Sequence, residues 1–537
     1  MKDTTIFVNQ IGYKTAGTKK AFVKNGTEGE TFFIADAENP EKIVYKGKLP
    51  APVKDEAGGE SVCCADFSDF DSEGTYCIFT DESRKQNVKS VNFKIGNGIF
   101  DDLYFSTLNY FYLSRCGQDI ENEEWGHPAC HTGIAKIYGS ELTKNVQGGW
   151  HDAGDYGRYV VAASKAVMDL LLAYECQNKK YTRFDILDEA RFELEWMLQM
   201  QREDGGVYHK ISCYHFCPFI LPQEEKDELV LAPVSTSATA DFAGCLSFAY
   251  GFYKKVDSAF ADKLLSAALK AQEYLDTHED ELYKNPPEIT TGGYGDWNVH
   301  DERYFALCSL FASTGNKKYL TKALEVKAEA KKMPDDETCL WKKAWCECFA
   351  WGCVAGYGTE ILIKNQNLIE DKKIVAELKK DILAEVDSIY NVVKNASFET
   401  ALKIVFWGSN GQSCDLAHML LLGYDITGDK KYFEAALSQF NYVLGCNPLD
   451  ICYVTGFGTK TVLNPHHRPS GALQKCMPGM LSGGPCAGLV DEVAKKHLQG
   501  KAPLQCFIDI QGSYSTNEVA IYWNSPFVYL VAKLGLI

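Results

Sequence analysis

The sequence predicts a mainly α-helical protein in which a small β-sandwich precedes a toroid of helical hairpins. Short β-prone runs separated by Gly, Asn, Asp and Pro fill residues 4–95, which is the pattern of a sandwich built from several short strands. From about residue 103 onward, apolar residues recur at helical spacing. Twelve such stretches follow, and twelve helices in antiparallel pairs form a ring of six hairpins.

The predicted helices also suggest the domain division. They lie near residues 103–115, 160–176, 185–202, 236–256, 259–276, 301–314, 317–331, 344–364, 371–394, 412–427, 430–445 and 517–534. Because a glycine-rich linker follows the last β-prone run, we predict a β-sandwich domain at 1–96 and a helical domain at 97–537. Connections as long as those at 116–159, 205–235, 277–300, 446–482 and 483–516 usually carry function.

The composition argues against several classes of partner. The formal net charge of -17 repels nucleic acid and anionic membranes, and no run rich in Lys and Arg interrupts it. The first residues lack the apolar core and cleavage site of a secretory signal, and no stretch is long and apolar enough to span a membrane. We therefore expect a cytoplasmic protein, or a secreted one from which a signal has been removed. The 20 cysteines are scattered, and a reducing cytosol leaves them as thiols.

The stretch 148–159, which we call the aspartate loop, is the first candidate for chemistry. It places Asp152 and Asp155 three residues apart among glycines and aromatic residues. Glycines let the backbone approach a ligand closely, Trp150 and Tyr156 offer flat faces for sugar rings, and the two carboxylates would face a polarised water. The alternative is structural, with one aspartate capping the helix predicted to follow.

The segment 507–526, which we call the C-terminal segment, contains the second carboxylate candidate. Glu518 stands at the start of an apolar predicted helix, and Tyr514 and two further aromatic residues flank it. Such surroundings raise the pKa of a carboxyl group and suit it to donate a proton. The alternative is that a preceding Thr or Asn caps the helix and that Glu518 only favours its positive end.

Two clusters of polar side chains lie in other irregular stretches. The stretch 453–470, which we call the histidine loop, carries His466, His467 and Arg468, donors suited to sugar hydroxyls or a carboxylate. The alternative is a surface loop with incidental histidines. The second cluster offers the two thiolates and two imidazoles of a closed tetrahedral zinc site, against the alternative of unlinked core cysteines. Its members are Cys116, Cys130, His131 and His151.

Taken together, these stretches resemble family nine of the glycoside hydrolases, the β-1,4-glucanases that carry an N-terminal immunoglobulin-like domain. The resemblance runs through essentially the whole chain, in residues 9–13, the aspartate loop, 235–242, 408–410, the histidine loop and the C-terminal segment. The family's C-terminal signature is matched at Asp509, Tyr514, Glu518, Ala520 and Asn524. The histidine signature departs once, where Cys452 replaces the usual Ser, Thr or Val.

The resemblance implies an (α/α)6 barrel that hydrolyses β-1,4-glucosidic bonds with inversion. By position, Asp155 is similar to the general base, Asp152 to the partner that orients the attacking water, and Glu518 to the general acid. An inverting mechanism needs its acid and base roughly 6.5–9.5 Å apart, which two aspartates in one short loop do not provide. The resemblance also implies that His466 and Asp509 are catalytic residues. The substrate-binding residues that we expect are Arg468, His467, Trp150, Tyr156 and Tyr514.

The same resemblance implies two metals. A structural zinc bound by Cys116, Cys130, His131 and His151 would brace the aspartate loop without taking part in catalysis. The stretch 295–302 is similar to a calcium loop, in which the hard oxygen ligands would come from Asp296, Asp301 and Glu302. The segment that usually supplies a further calcium ligand reads Trp345-Cys346-Glu347 here, and a thiol is a poor calcium ligand.

We therefore predict an inverting endo-β-1,4-glucanase, a cellulase-type hydrolase of cellulose-type glucans, mixed-linkage glucans or cello-oligosaccharides. The first alternative is an exo-acting β-glucosidase or glucosaminidase on imported oligosaccharides, decided by whether a loop such as 116–147 or 205–235 blocks one end of the cleft. The second alternative is a glycan-binding protein without catalysis. Such a protein would lack Asp155 or Glu518, and both residues are present.

Overall fold

The computed structural model describes residues 4–177, 183–334 and 345–536. Contacts group the chain into two compact units. The first unit comprises Met1–Tyr110, Cys176–Arg183 and Val386–Ile537, and the second comprises Phe111–Glu175 and Phe184–Glu385. These units follow packing and not chain order, and the domain boundary at residue 96 stays a prediction.

The N-terminal part of the first unit is a β-sandwich, as the sequence predicts. One sheet pairs four strands antiparallel in the order Ile6–Phe7, Lys20–Lys24, Ser61–Asp66 and Val53–Lys54. The other has five strands in the order Gly12–Tyr13, Phe93–Ile95, Gly74–Thr80, Thr31–Asp36 and Ile43–Lys48, with only the first pair parallel. Alternate residues of both sheets, such as Val23, Ile34 and Ile78, are buried in one apolar core.

In the helical part of the first unit, the helix Ser409–Thr427 packs against two other helices. This helix contacts Lys430–Val443, which Asp429 caps by accepting from the Lys431 backbone N–H, and it also contacts Ile521–Leu530. The other long helices of this unit are Asp101–Leu113 and the second half of Lys372–Val393. Its short helices are Asp81–Lys85, Arg468–Leu473, Glu492–Leu498 and Tyr514–Asn517. The helix Ile521–Leu530 continues into a π-helical turn at Val531–Gly535.

The second unit is built around two central helices. Thr236–Tyr253 packs against Ser258–Thr277 and His300–Thr314, and the latter packs against Lys317–Ala330 and Ala355–Lys364. The Ser235 hydroxyl caps the first of these helices by accepting from the Ala238 backbone N–H. The unit also contains Val160–Cys176, Ile186–Met200 and the first half of Lys372–Val393.

All twelve predicted helical stretches contain a helix, which confirms the helical reading of the sequence. In two of them the helix begins well after the predicted start. Over 344–364 the helix covers only Ala355–Lys364, because 345–354 forms an irregular segment, and residue 344 lies outside the described residues. Over 517–534 the helix begins at Ile521, because Glu518 and Ala520 are extended. Among the described helices, none has the length and apolar character needed to cross a membrane.

A third sheet in the second unit was not expected. Stretches that the sequence presents as irregular supply five short strands, in the order Thr143–Lys144, Ala135–Ile137, Leu229–Leu231, Lys210–Cys213 and Arg158–Tyr159. Strands of two to four residues are too short to show an alternating pattern. The sheet fixes the end of the aspartate loop, since Arg158–Tyr159 pairs antiparallel with Lys210–Cys213.

Candidate active site

The aspartate loop begins where the backbone crosses an indole ring. Gly148 and Gly149 have φ of +90° and +82°, a region that glycine adopts without strain. A Cβ atom at Gly149 would lie 2.7 Å from the Trp196 ring. Glycine is therefore required here, because the chain must lie directly on the ring before it reaches the aspartates.

Trp150 anchors the loop to the core of the second unit. Its backbone N–H donates to Glu193 Oε2 at 2.7 Å, and its indole Nε1–H donates to Glu189 Oε1 at 2.8 Å. Glu189 is also paired with Arg115 Nε at 2.9 Å. Trp150 is fully buried, so it does not offer the sugar-stacking face that the sequence suggested, and that assignment is corrected.

The two aspartates have different surroundings. Asp155 Oδ2 accepts from the Gly157 backbone N–H at 3.1 Å and from the Tyr159 hydroxyl at 3.2 Å. Asp152 Oδ2 accepts from the Tyr294 hydroxyl at 2.5 Å, and Asp152 Oδ1 has no hydrogen-bond partner in the described part of the chain. Burial, and then the charge of Asp155, raise the pKa of Asp152 well above its ordinary value, while the Tyr294 hydrogen bond opposes this rise.

These contacts decide between the two interpretations of the aspartate loop. The following helix begins at Val160, and the hydrogen bonds of both carboxylates go instead to the loop and to Tyr294. The helix-capping alternative is therefore wrong. Both carboxylates are held in place by groups that leave part of their hydrogen-bonding capacity to a ligand or water.

Tyr294 is a site residue that the sequence analysis missed. Its φ of +50° is unusual for a tyrosine, and its ring packs against Tyr159 at 4.6 Å and against Trp351 at 5.0 Å between centroids. The preceding backbone is held by Lys210 Nζ, which donates to the Gly292 carbonyl, and by His209 Nε2–H, which donates to the Gly293 carbonyl. The sequence signal that could have identified Tyr294 is its position between two glycines, which resembles the setting of the aromatic residues in the aspartate loop.

Cys116, Cys130, His131 and His151, the thiol–imidazole cluster, come together as predicted. Their ligand atoms all lie within 4.8 Å of one another, and all four residues are buried. Cys130 Sγ lies 3.6 Å from His151 Nε2. His131 has φ of +49°, so the left-handed backbone turns two adjacent residues toward one centre. Two thiols and two imidazoles form a closed four-ligand set that can hold a metal.

The surroundings of the thiol–imidazole cluster are polar and aromatic. His131 Nε2 lies 2.8 Å from Glu225 Oε2, the kind of carboxylate contact that orients a metal-binding imidazole. Tyr156 packs against His151 at 4.8 Å between centroids, and its hydroxyl donates to the Ile220 carbonyl at 2.6 Å. Tyr156 is buried in these contacts, so its predicted role in substrate binding is corrected to support of the cluster.

A second group of ligand-type residues contains carboxylates only. Asp296, Asp301 and Glu302 are joined by Asp241, which the sequence analysis did not include, and we call these four the carboxylate cluster. In the described residues neither oxygen of Asp241 has a hydrogen-bond partner, and neither does Glu302 Oε2. Burial, and then the charge of Asp301, raise the pKa of Asp296 to about 7. Carboxylate oxygens are the ligand type that hard cations prefer.

Glu347 does not belong to the carboxylate cluster by its contacts. Its Oε1 accepts from Lys327 Nζ at 2.6 Å, and its Oε2 accepts from the Thr359 hydroxyl at 2.7 Å. A lysine therefore already neutralises the only carboxylate of the segment Trp345-Cys346-Glu347.

In the first unit, Asp509 joins the histidine loop to the C-terminal segment. Its carboxylate accepts from the backbone N–H groups of Leu463 and Asn464, each at 2.8 Å, and from Asn517 Nδ2 at 2.9 Å. The His466 backbone N–H then donates to the Asn517 carbonyl at 2.8 Å. As a result His466 and Glu518 face each other as partners in a parallel backbone bridge.

Glu518 lies between two helices and does not begin one. The short helix Tyr514–Asn517 ends before it, and its own backbone is extended, so the alternative that it stabilises a helix start is wrong. It is half-buried, beside Tyr514. The Tyr514 ring lies 5.2 Å from Trp407, which is 39% exposed, and 6.0 Å from His466 between centroids. Trp407 was missed, although it directly precedes the family stretch at 408–410.

The two remaining residues of the histidine loop differ in position. His467 Nδ1 lies 2.8 Å from the Ser470 hydroxyl, and burial lowers the pKa of His467 to about 3. It is a neutral core histidine, so its predicted substrate contact is corrected. Arg468 is buried at the start of the helix Arg468–Leu473, and its role at the substrate stays a prediction.

The chain matches two family models. That of glycosyl hydrolase family 9 covers residues 100–531, and that of the cellulase N-terminal ig-like domain covers residues 2–85. Among curated relatives, a cellodextrinase of Butyrivibrio fibrisolvens is 35% identical over 98% of this chain and 99% of its own. Endoglucanase D of Acetivibrio thermocellus is 31% identical over 99% of this chain and 83% of its own.

Solved structures agree with these relatives. A mutant of the thermostable endoglucanase from Alicyclobacillus acidocaldarius superposes with a TM-score of 0.88 at 32% identity, covering 99% of both chains. A zinc-binding triple mutant of the family 9 endoglucanase J30 superposes with a TM-score of 0.88 at 27% identity, covering 97% of this chain and 99% of its own. The predicted fold class, an (α/α)6 barrel preceded by an immunoglobulin-like sandwich, is confirmed. The chain belongs to glycosyl hydrolase family 9, and the protein is a glycoside hydrolase.

Proposed function

We propose that the protein is an inverting endo-β-1,4-glucanase that acts on cellulose-type glucans and cello-oligosaccharides. The observation that carries this proposal is that the carboxylates proposed as base and acid have different surroundings. Asp152 and Asp155 are buried and held by tyrosine hydroxyls, whereas Glu518 is half-buried and stands beside Tyr514. The relatives support it, since they include a cellodextrinase and endoglucanases, and one solved relative holds a cellobiose-like isofagomine.

In this proposal Asp155 is the base. Both of its hydrogen bonds described above go to Oδ2, so we assign Oδ1 to the attacking water. Asp152 orients the same water through Oδ1, the oxygen that has no partner in the described residues. The Tyr294 hydrogen bond favours the ionised form of Asp152, which is the form that accepts a hydrogen bond from water.

Glu518 is the acid that protonates the leaving oxygen. His466 Nδ1 lies 2.7 Å from the Gln511 carbonyl oxygen, so Nδ1 carries the proton of that hydrogen bond and the ring orientation is fixed. Both carboxylate oxygens of Asp509 accept hydrogen bonds from the histidine loop, and one also accepts from Asn517, so we assign Asp509 a positioning role for His466 and Glu518 instead of the catalytic role that its place in the signature suggests.

Product analysis tests the proposed function. We expect early digests of cellohexaose to contain cellobiose, cellotriose and cellotetraose, and we expect the newly formed reducing ends to appear first as the α-anomer in proton NMR. Single glucose units released from one end would favour the exo-acting alternative. A β-anomer as first product would contradict the inverting mechanism, and an intact substrate would contradict the proposed substrate class.

Removing either proposed acid–base carboxylate should abolish turnover without unfolding the protein. We expect Asp155→Asn and Glu518→Gln each to lower kcat by about a thousandfold, the range that positioned acid–base groups contribute. The matched control is Glu492→Gln, whose carboxylate is exposed on a surface helix and should leave kcat unchanged. Rates near wild type in either variant, measured on protein with an unchanged unfolding temperature, would remove that residue from the mechanism.

The Tyr294 hydrogen bond should control the acid side of the pH profile. Tyr294→Phe removes the contact that lowers the pKa of Asp152, so this pKa rises and more Asp152 is protonated at a given acidic pH. We expect the acid limb of the kcat profile to move to higher pH, with the basic limb unchanged. Tyr138→Phe, which removes a hydroxyl bonded to exposed Glu288, is the control. An acid limb that stays in place or moves to lower pH contradicts the assignment.

We propose that the thiol–imidazole cluster binds a structural zinc. The donor set fits, since Cys116 and Cys130 supply thiolates while His131 and His151 supply imidazoles. A bound zinc would cross-link the segments that carry these four residues, and it would take no part in the reaction. This cross-link would help to fix the position of the aspartate loop, because His151 directly precedes Asp152 and Tyr156 packs on the imidazoles.

Metal analysis of protein purified without chelator should find about one zinc per chain. Cys130→Ser should lose it and lower the free energy of unfolding by about 3 kcal/mol or more, because loss of a bound metal is among the causes of large destabilisation by a single substitution. Cys176→Ser, at the end of the helix Val160–Cys176, is the control and should keep both zinc and stability. Wild-type protein without zinc, or a Cys130→Ser variant that retains it, would contradict the site.

For the carboxylate cluster we propose calcium, held by Asp241, Asp296, Asp301 and Glu302. Calcium would offset the mutual repulsion of these buried carboxylates. It would also be coordinated by the Asp241 oxygens, which have no hydrogen-bond partner within the described residues. Calcium should then raise the Tm of the wild-type protein and should not raise that of Asp241→Asn.

A further inference from the structure

A buried lysine that the proposed mechanism does not use lies beside the end of the aspartate loop. Lys210 is the first residue of the strand Lys210–Cys213, and its side chain is fully buried. Its ammonium group donates to the Thr291 hydroxyl at 3.0 Å, to the Thr291 carbonyl at 3.3 Å and to the Gly292 carbonyl at 2.5 Å. None of these hydrogen bonds goes to a carboxylate. Because burial of a cation without a paired anion costs free energy, stability of the fold does not explain this lysine.

The hydrogen bonds of Lys210 hold a short stretch of chain, residues 291–294, which we call the tyrosine turn. Alternate residues of a strand face the same way, and Ser212 accordingly contacts the same part of the turn, with its hydroxyl 2.9 Å from that of Thr291. Asn285 Nδ2 also donates to the Thr291 carbonyl, at 2.6 Å. The start of the turn is therefore tied to its surroundings by several side chains, and its last residue is the tyrosine.

Lys210 also contacts an aromatic ring of the aspartate loop. Tyr159 lies directly opposite Lys210 in the antiparallel strand pair, and Lys210 Nζ is 5.4 Å from the centroid of the Tyr159 ring. The Tyr159 ring packs in turn against the ring of Tyr294. One ammonium group thus restrains both the backbone that leads to Tyr294 and the ring on which Tyr294 packs.

The charge state of Lys210 matches the number of its acceptors. Burial lowers the pKa of Lys210 to about 7, and the charge of Asp155 opposes this fall. Below that pH the side chain is an ammonium group with three N–H donors, and the tyrosine turn presents three acceptors to it. Assays at about pH 6 therefore report on the charged form.

We propose that Lys210 is a positioning residue for the hydrolytic reaction, which holds the tyrosine turn so that the Tyr294 hydroxyl stays on Asp152 Oδ2. The inference rests on the proposed function, in which Asp152 orients the attacking water through Oδ1. Tyr294 has a φ of +50°, and a residue other than glycine keeps such a backbone only where its surroundings enforce it. Without the ammonium group we expect the turn to relax and the hydroxyl to leave the Asp152 carboxylate.

Kinetics of Lys210→Met test this role at about pH 6, with zinc and calcium supplied. Methionine keeps an apolar stem and removes the ammonium group. We expect kcat to fall about a hundredfold, the loss that a displacement of about 1 Å causes at a catalytic group. KM should stay within about twofold, because Lys210 is buried and does not contact the substrate. The Tm should stay within about 4 °C, because relief of the buried charge offsets the lost hydrogen bonds.

The matched control is Lys19→Met in the β-sandwich. Lys19 is also buried, and its ammonium group also donates to two backbone carbonyls, those of Thr15 at 2.9 Å and Gly17 at 3.0 Å. This variant should keep the kcat of the wild type. A Lys210→Met enzyme that keeps its kcat, or whose loss of rate follows only the loss of folded protein, would overturn the proposal.

A double-mutant cycle tests whether Lys210 acts through Tyr294. In the Tyr294→Phe background the hydroxyl that Lys210 positions is already absent. We therefore expect Lys210→Met to lower kcat by less than about tenfold in that background, instead of about a hundredfold. Equal losses in the two backgrounds would show that the two residues act independently, and this result would also overturn the proposal.

A crystal structure of Lys210→Met tests the placement without any substrate. We expect the distance between the Tyr294 hydroxyl and Asp152 Oδ2 to exceed about 3.5 Å, beyond hydrogen-bond range. A hydrogen bond that persists in this variant would overturn the positioning role, even in an active glucanase. A wild-type protein that cleaves no glucan, combined with a displaced hydroxyl in Lys210→Met, would contradict the proposed function alone, so the two failures are distinguishable.

Discussion

Two hydrogen bonds from Trp150 to buried glutamates determine where the aspartate loop lies. They come from the backbone and the indole of one residue, so both the position and the orientation of the chain are fixed there. The next residue, His151, belongs to the thiol–imidazole cluster, and the one after it is Asp152. At the other end, the loop closes on the third sheet through Arg158–Tyr159. A core anchor, a cross-linking cluster and a strand thus hold one loop of twelve residues, 148–159.

The region around the aspartate loop also contains polar groups that the protein leaves unsatisfied. In the described residues, Asp152 Oδ1, Glu193 Oε1 and two nitrogens of Arg158 have no hydrogen-bond partner although they are buried. Each such group costs about 1–3 kcal/mol when nothing satisfies it. Ordered water can satisfy some of them. Such groups lower the stability of the fold, and a cluster of them is typical of a functional site, where polar groups are kept available for a ligand.

The sequence was sufficient for the large elements, because long helices and a sandwich leave periodic patterns. It also predicted the thiol–imidazole cluster. It did not predict burial of individual aromatic residues, and Trp150 and Tyr156 were both assigned to sugar stacking although their rings are enclosed. An aromatic residue in a glycine-rich loop fits either situation, and only the packing of Trp196 and the imidazoles decides between them. Tyr294, Trp407 and Asp241 were missed because each acts with a residue distant in sequence.

The hydrogen bonds of Asp509 have a consequence for motion. One carboxylate binds two backbone N–H groups of the histidine loop and the side chain of Asn517, while the backbone of His466 bridges to Glu518. These contacts restrain the histidine and the proposed acid relative to each other, so we expect a motion that shifts one of them to shift the other as well. A motion that admits a sugar chain would then be taken up by segments outside this network.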